Sequence, residues 1–213
     1  DIVIATKSTE EKNLKDINRM AEATVKMVRD SVSAYVQKDL ELARRVMVAD
    51  DEVDDLFDLV KGDLVKFISD HKGSAGDEAI DLIMIAKYLE RIGDHAADIS
   101  EMTILMAGTP YIRNIEHLQT MAKEAMVMLV KSIEAYVEKD LEKAEKVIES
   151  DDVIDDLFDQ IKAELIDAIH QNPDNGEQAA DLLMVSKYLE RIGDHATNIA
   201  EWVIFSITGN HPG

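Results

Sequence analysis

The ten-residue stretch Lys-Tyr-Leu-Glu-Arg-Ile-Gly-Asp-His-Ala occupies residues 87–96 and recurs without a change at residues 187–196. In each copy a glutamate and an aspartate stand four residues apart. The two pairs are Glu90 with Asp94 and Glu190 with Asp194. On an α-helix this spacing places two like charges on one face, about 5–6 Å apart at Cβ, where they repel each other unless a cation or a proton lies between them. The duplicated pair therefore indicates either a solvated acidic face or a bound ligand.

The repeat extends well beyond this stretch. Residues 34–41 recur almost unchanged at 135–142, and residues 54–58 recur at 155–159, both at an offset of 101. The offset shortens to 100 further along the chain, so one residue was gained or lost in an intervening turn, where such changes are tolerated. The sequence therefore predicts two copies of one fold.

Each half has the pattern of three amphipathic helices. Apolar residues recur at spacings of three and four, and strict alternation is absent. Asp39 and Asp140 are predicted N-caps of the second helix in each half. The predicted helices cover about residues 14–37, 39–71 and 77–108 and, in the second half, about 118–136, 140–170 and 177–209. Short turns between long helices make neighbours antiparallel.

These patterns predict an all-α protein of two tandem antiparallel three-helix bundles related by an internal repeat. The predicted domains are residues 1–108 and 109–213, with a helix break at residues 108–110. Residues 1–10 do not fit the three-helix pattern cleanly, so they either extend the first helix or remain from a preceding segment. The chain begins with Asp1 rather than methionine, and a lost leader is compatible with that start.

Composition restricts the partners. The chain has 44 acidic and 23 basic residues, and its formal charge of −21 repels nucleic acid and anionic lipid and favours basic surfaces on a partner. No cysteine is present, which removes disulfides and thiolate chemistry. No apolar run approaches the roughly 18–20 residues that span a bilayer, so we expect no direct membrane insertion. The chain has neither a phosphate-binding glycine-rich loop nor a nucleophile beside a base, so we expect a non-enzymatic protein.

Further aspartates join the acidic pairs. Asp50 and Asp54 lie at about 60° and 100° from the apolar stripe of their helix, on the shoulder of the core. Antiparallel packing would bring them to Glu90 and Asp94 and so form a group of four carboxylates with no basic residue among them. The predicted metal ligands are Asp50, Asp54, Glu90, Asp94 and Asp98 in the first half and Asp151, Asp155, Glu190 and Asp194 in the second.

Such a group of carboxylates is fully solvated, partly protonated or bound to metal. Oxygen-only ligands favour magnesium, calcium, manganese or iron over copper or structural zinc. The Glu-x-x-His pattern of ferritin-like di-iron proteins is missing, because His95 is five residues from Glu90. We expect His95 and His195 to be surface or hydrogen-bonded residues, and Arg91 to pair with Asp94 three residues away.

The doubled Leu-Glu-Arg-Ile-Gly-Asp at residues 89–94 and 189–194, with Asp-x-x-x-Asp motifs beginning at Asp50 and Asp151, resembles the PhoU family of phosphate-uptake regulators. Residues 188–202 are especially similar to the C-terminal half of that family. The resemblance implies two three-helix bundles in tandem and a cytoplasmic location. It also implies multinuclear binding of iron or zinc at the acidic motifs.

The same resemblance implies a negative regulator of phosphate uptake and phosphate-starvation signalling. Its implied partners are the ATPase subunit of a phosphate ABC transporter and a sensor histidine kinase. Two alternatives stay open: a carboxylate-bridged metal-dependent hydrolase or oxidase, and a PhoU-like regulatory domain derived from a larger transport protein. A homodimer is also compatible with the sequence.

The two acidic faces differ at one position. Asp98 in the first half corresponds to Asn198 in the second, and asparagine keeps an oxygen donor without the charge. If Asp98 reaches the metal ligands, we expect the first site to hold its metal more tightly than the second. The alternative is that Asp98 faces water.

Overall fold

A computed structural model of the protein describes residues 2–71, 73–109, 112 and 115–213, without the side chains of residues 2–11 and 74. The elements are α1 (Ile2–Gln37), α2 (Leu40–Asp70), α3 (Ser74–Leu105), α4 (Glu116–Glu138), α5 (Leu141–Gln171) and α6 (Gly176–Thr208), with a short 3-10 helix (Pro173–Asn175) before α6. These described residues contain no strand, which confirms the all-α prediction. None of these helices is long and apolar enough to cross a membrane.

Helices α2 and α5 begin at the predicted caps. The Asp39 side chain accepts a hydrogen bond from the backbone N–H of Leu42 at 3.0 Å, and Asp140 accepts one from that of Lys143 at 3.0 Å. The lysine before each cap has a positive φ, 56° in the first half and 51° in the second. This left-handed backbone reverses the chain within two residues, so the helices on either side become antiparallel neighbours.

Two helix ends differ from the predicted bounds, and a third agrees. Residues 2–10 are helical and extend α1, which agrees with one of the two alternatives given for them. Helix α3 ends at Leu105, before Gly108 with its φ of 81°. Pro110, the other part of the predicted break, lies outside the described residues. Helix α6 ends as predicted, because Gly209 adopts a φ of 77° and its N–H donates to the carbonyl of Phe205 at 2.8 Å.

Each half packs its three helices around a core, which confirms the two predicted bundles. Helices α1, α2 and α3 contact one another, as do α4, α5 and α6. Leu89 and Ile92 of the first decapeptide are buried at 1% and 0% exposure. Truncating such a residue to alanine costs about 2–5 kcal/mol, so the decapeptide supplies packing as well as charge. The domain boundary between residues 108 and 109 stays a prediction.

The two bundles meet where α3 packs against α6. Four rings from the two decapeptides stack along this seam in the order Tyr88, His195, His95 and Tyr188, with centroids 5.8, 5.4 and 5.8 Å apart. Burial lowers the pKa of His195 to about 4 and also lowers that of His95. Both imidazoles are therefore neutral near pH 7, and the seam places no pair of positive charges in contact.

Candidate metal centre

Three carboxylates of the first half converge in the cleft between α2 and α3. Asp50 and Asp54 come from successive turns of α2 and Asp94 comes from α3, and each offers an oxygen within 4.8 Å of the other two. Helix α3 faces this part of α2 at Gly93, where a Cβ would lie at ordinary van der Waals distance, 3.4 Å from Val53 Cγ1 and 3.5 Å from the Asp50 carboxylate. We call these three aspartates the first cluster.

The second half repeats the arrangement with Asp151, Asp155 and Asp194, which we call the second cluster. Their oxygens also lie within 4.8 Å of one another. The second cluster has one addition, because the hydroxyl of Thr197 lies beside Asp151 whereas the first half has Ala97 at that position. Sequence analysis missed Thr197. The available signal was that the two copies of the decapeptide end at residues 96 and 196, so Ala97 and Thr197 are the first pair that differs.

The charges of both clusters are incompletely compensated. Asp50, Asp54 and Asp151 each bury an Oδ1 atom that has no hydrogen-bond partner. Burial, followed by repulsion from neighbouring carboxylates, raises the pKa of Asp94 to about 8 and those of Asp50 and Asp194 to about 6. Without metal, Asp94 of the first cluster therefore keeps a proton near pH 7, and a divalent cation would displace it. Oxygen-only donors with unpartnered buried atoms fit a hard cation.

The two predicted glutamates carry a basic partner that sequence analysis missed. Lys87 Nζ lies 2.7 Å from Glu90 Oε2 and 5.1 Å from the centre of the Phe57 ring. Lys187 repeats this contact with Glu190 at 2.8 Å. The prediction that no basic residue lies among the four carboxylates was therefore wrong. The i, i+3 spacing of lysine and glutamate within the decapeptide was the signal for this pair. Glu90 nevertheless lies within hydrogen-bond reach of Asp54 and Asp94 and so borders the first cluster, as predicted. Glu190 neighbours Asp194 in the same way.

Asp98 lies outside the first cluster. Its carboxylate lies 3.3 Å from Nδ1 of His95, and its side chain is 38% exposed. In the second half the amide nitrogen of Asn198 lies 3.5 Å from Nδ1 of His195. The expectation that the two histidines are hydrogen-bonded is confirmed for both. The structure thus gives Asp98 a partner other than a metal.

Arg91 does not form the ion pair that its spacing predicts. Within the described residues it makes no ion pair with Asp94, and its guanidinium lies 5.9 Å from the ring centre of Tyr88 on the same helix. Since Arg91 is exposed, its charge contributes little to the cluster. The first cluster therefore keeps its net negative charge, apart from the contribution of Lys87.

Comparison with known proteins agrees with this architecture. The PhoU domain profile matches residues 17–103 and again residues 118–203. The chain is 34% identical over 199 residues to the phosphate-specific transport system accessory protein PhoU homolog of Rhizobium meliloti, covering 92% of this chain and 84% of that protein. It is 30% identical over 197 residues to the protein of the same name in Clostridium acetobutylicum, covering 91% and 90%.

The fold matches a solved structure as well. The crystal structure of PhoU from Pseudomonas aeruginosa superposes with a TM-score of 0.92 at 25% identity, covering 96% of this chain and 99% of that one. The matched profile, the similar proteins and the shared fold extend over both halves. The chain belongs to the PhoU family.

Proposed function

We propose that the chain is an accessory protein of a phosphate-specific transport system, that it restrains phosphate uptake and phosphate-starvation signalling, and that its two clusters bind divalent metal. The accessory role is supported by the names of the relatives that align with most of this chain. The metal role is supported by one observation: the same cleft of three converging carboxylates occurs in both halves.

The metal would be held by Asp50, Asp54 and Asp94 in the first half and by their counterparts in the second. A bound cation would neutralise carboxylates from two helices and so hold α2 against α3. The donor set favours a hard ion such as iron(II), manganese or magnesium, while zinc usually recruits nitrogen or sulfur ligands. His95 and His195 are engaged in the ring stack rather than in the clusters.

The partner would approach the acidic side of the molecule. Helices α2 and α5 carry 9 and 10 acidic residues against 4 and 3 basic ones. A basic surface on a transporter ATPase subunit or on a sensor kinase complements this charge and would be steered towards it at low ionic strength. Binding of this kind weakens as salt is added.

Two measurements test the proposal together. Elemental analysis of protein purified without chelator should find metal. A triple variant of the first cluster (Asp50→Asn, Asp54→Asn, Asp94→Asn) should lose the metal of the first site and keep that of the second. The matched control removes three exposed carboxylates elsewhere: Asp70→Asn, Asp167→Asn and Asp174→Asn. The control should keep its full metal content. Metal-free wild-type protein, or equal loss in both variants, would refute the metal role.

Capture by the transporter ATPase subunit tests the accessory role. We expect retention of the chain on the immobilised subunit at about 50 mM salt and release at several hundred millimolar, because screening shortens the range of the attraction. An unrelated protein of similar negative charge should not be retained. A parallel phosphatase assay addresses the enzyme alternative, and turnover that requires the cluster aspartates would replace the accessory role by a hydrolase role.

A further inference from the structure

The two clusters differ in one hydroxyl. Position 197 follows Asp194 by three residues and carries threonine, whereas the matching position 97 carries alanine. Thr197 is only 8% exposed, and its Oγ1 atom is buried without a hydrogen-bond partner of ordinary geometry. The Oδ1 atom of Asp151 beside it is likewise buried and unpartnered. A buried hydroxyl without a partner costs about 1–3 kcal/mol, so its position calls for a physical reason.

The hydroxyl does not make the bond that helical threonines and serines usually make. Such side chains commonly donate to the backbone carbonyl one turn earlier. Thr103 does so to Ile99 at 3.1 Å, and Ser186, on the same helix as Thr197, does so to Leu182 at 2.9 Å. Thr197 instead lies against the Asp151 carboxylate, where its dipole opposes the rise in the pKa of that group. The hydroxyl therefore faces the second cluster rather than its own helix.

We propose that Thr197 supplies a fourth oxygen to the second site, next to Asp151, Asp155 and Asp194, and that the second site therefore holds a hard divalent cation more tightly than the first. This inference rests on the metal binding proposed above. A neutral hydroxyl adds a donor for the cation without adding to the repulsion among the carboxylates. Ala97 offers only a methyl group, so the first site must complete its coordination with water.

This order of affinities is the reverse of the one expected from Asp98. That expectation required the Asp98 carboxylate to reach the first cluster, whereas it lies against His95 and is partly exposed. Thr197 lies beside Asp151, a member of its cluster, and is more deeply buried than Asp98. The residue that distinguishes the two sites is thus Thr197, which directly follows the identical decapeptide.

The test is a calorimetric titration of chelator-treated protein with Mn²⁺, with free Mn²⁺ followed independently by electron paramagnetic resonance. We expect two classes of site whose affinities differ by about tenfold, the lower end of the range that follows the loss of a residue supporting a metal site. Asp155→Asn should remove the tight class, which assigns that class to the second half. Thr197→Val, which keeps the shape without the hydroxyl, should make the two classes equal.

Two further variants separate the hydroxyl from general effects of substitution. Thr197→Ser keeps the oxygen and should keep the tight class, while Ala97→Thr should strengthen the first site about tenfold. The unfolding midpoints in chelator check that each variant folds. Unequal classes that persist in Thr197→Val would overturn the inference while leaving metal binding intact. Absence of Mn²⁺ binding in the wild type would overturn the proposed metal function itself, and this inference with it.

Discussion

Replacing Asp94 by asparagine should stabilise the metal-free protein, and the effect should grow with pH. Burial, followed by repulsion from Glu90 and Asp50, raises the pKa of Asp94 from its ordinary value of 3.8 to about 8. The folded protein thus binds this proton more tightly than the unfolded chain does. The corresponding stability is fully present below pH 4 and is lost as the pH rises through about 8. Asparagine cannot ionise, so the variant escapes this loss.

The magnitude follows from the same shift. Each pKa unit is worth about 1.4 kcal/mol, so a fully expressed shift would change the free energy of unfolding by about 4 kcal/mol between pH 5 and pH 8. Asp94 is only half-buried and shares its proton with Asp50, so solvent screening reduces this value. We expect the advantage of Asp94→Asn over the wild type to increase by about 2 kcal/mol over this range.

The assay is urea unfolding in the presence of chelator at pH 5, 6.5 and 8. Asp167→Asn is the control, because Asp167 is an exposed carboxylate on α5 away from both clusters. It removes the same charge from the protein as a whole. An equal gain in unfolding free energy in the control would show that the effect comes from net charge alone. A gain in Asp94→Asn that does not change with pH would refute the reasoning.

Three further substitutions test other contacts of the site. Lys87→Met removes the cation beside Glu90 and should tighten metal binding at the first site several-fold in a calorimetric titration, at a stability cost of at most about 1 kcal/mol. Asp98→Asn should leave metal stoichiometry and affinity unchanged. A drop in metal occupancy at the first site would show that Asp98 is a metal ligand after all. Gly93→Ala gains up to about 1 kcal/mol of helix propensity, and its methyl group would lie at ordinary van der Waals distance from the Asp50 carboxylate. It should therefore stabilise the protein in thermal melts and leave metal affinity at the first site unchanged in a titration, as Gly193→Ala should at the second.

Local sequence was sufficient for the helices and most of their ends. Asp39 and Asp140 are short acceptors placed directly before apolar periodicity, and capping needs only the three residues that follow. Gly209 ends α6 for an equally local reason. The start of α1 stayed open between two alternatives because residues 2–10 carry no clear apolar stripe, so periodicity could not show that they are helical.

The clusters could be predicted only in part. The i, i+4 spacing correctly put Asp50 and Asp54 on one face, because helix geometry alone decides that. Angles on an ideal helix do not give the distance between helices or the rotamers of long side chains. Those determine whether Lys87 reaches Glu90 and whether Asp98 faces the cluster or a histidine.

The ring stack at the seam has a consequence for how the two halves can differ. Its four rings come from two copies of one decapeptide, so the bundles touch through a motif that contacts itself, as identical subunits do in a two-fold dimer. Two separate half-length chains would have to find each other at cellular concentration, whereas a covalent connection makes the encounter intramolecular. A dimer of identical halves must also carry the same side chain at both equivalent positions. Fusion removes that constraint, so one half can carry Thr197 and the other Ala97, and a single substitution can change one ion-binding cleft without altering its twin.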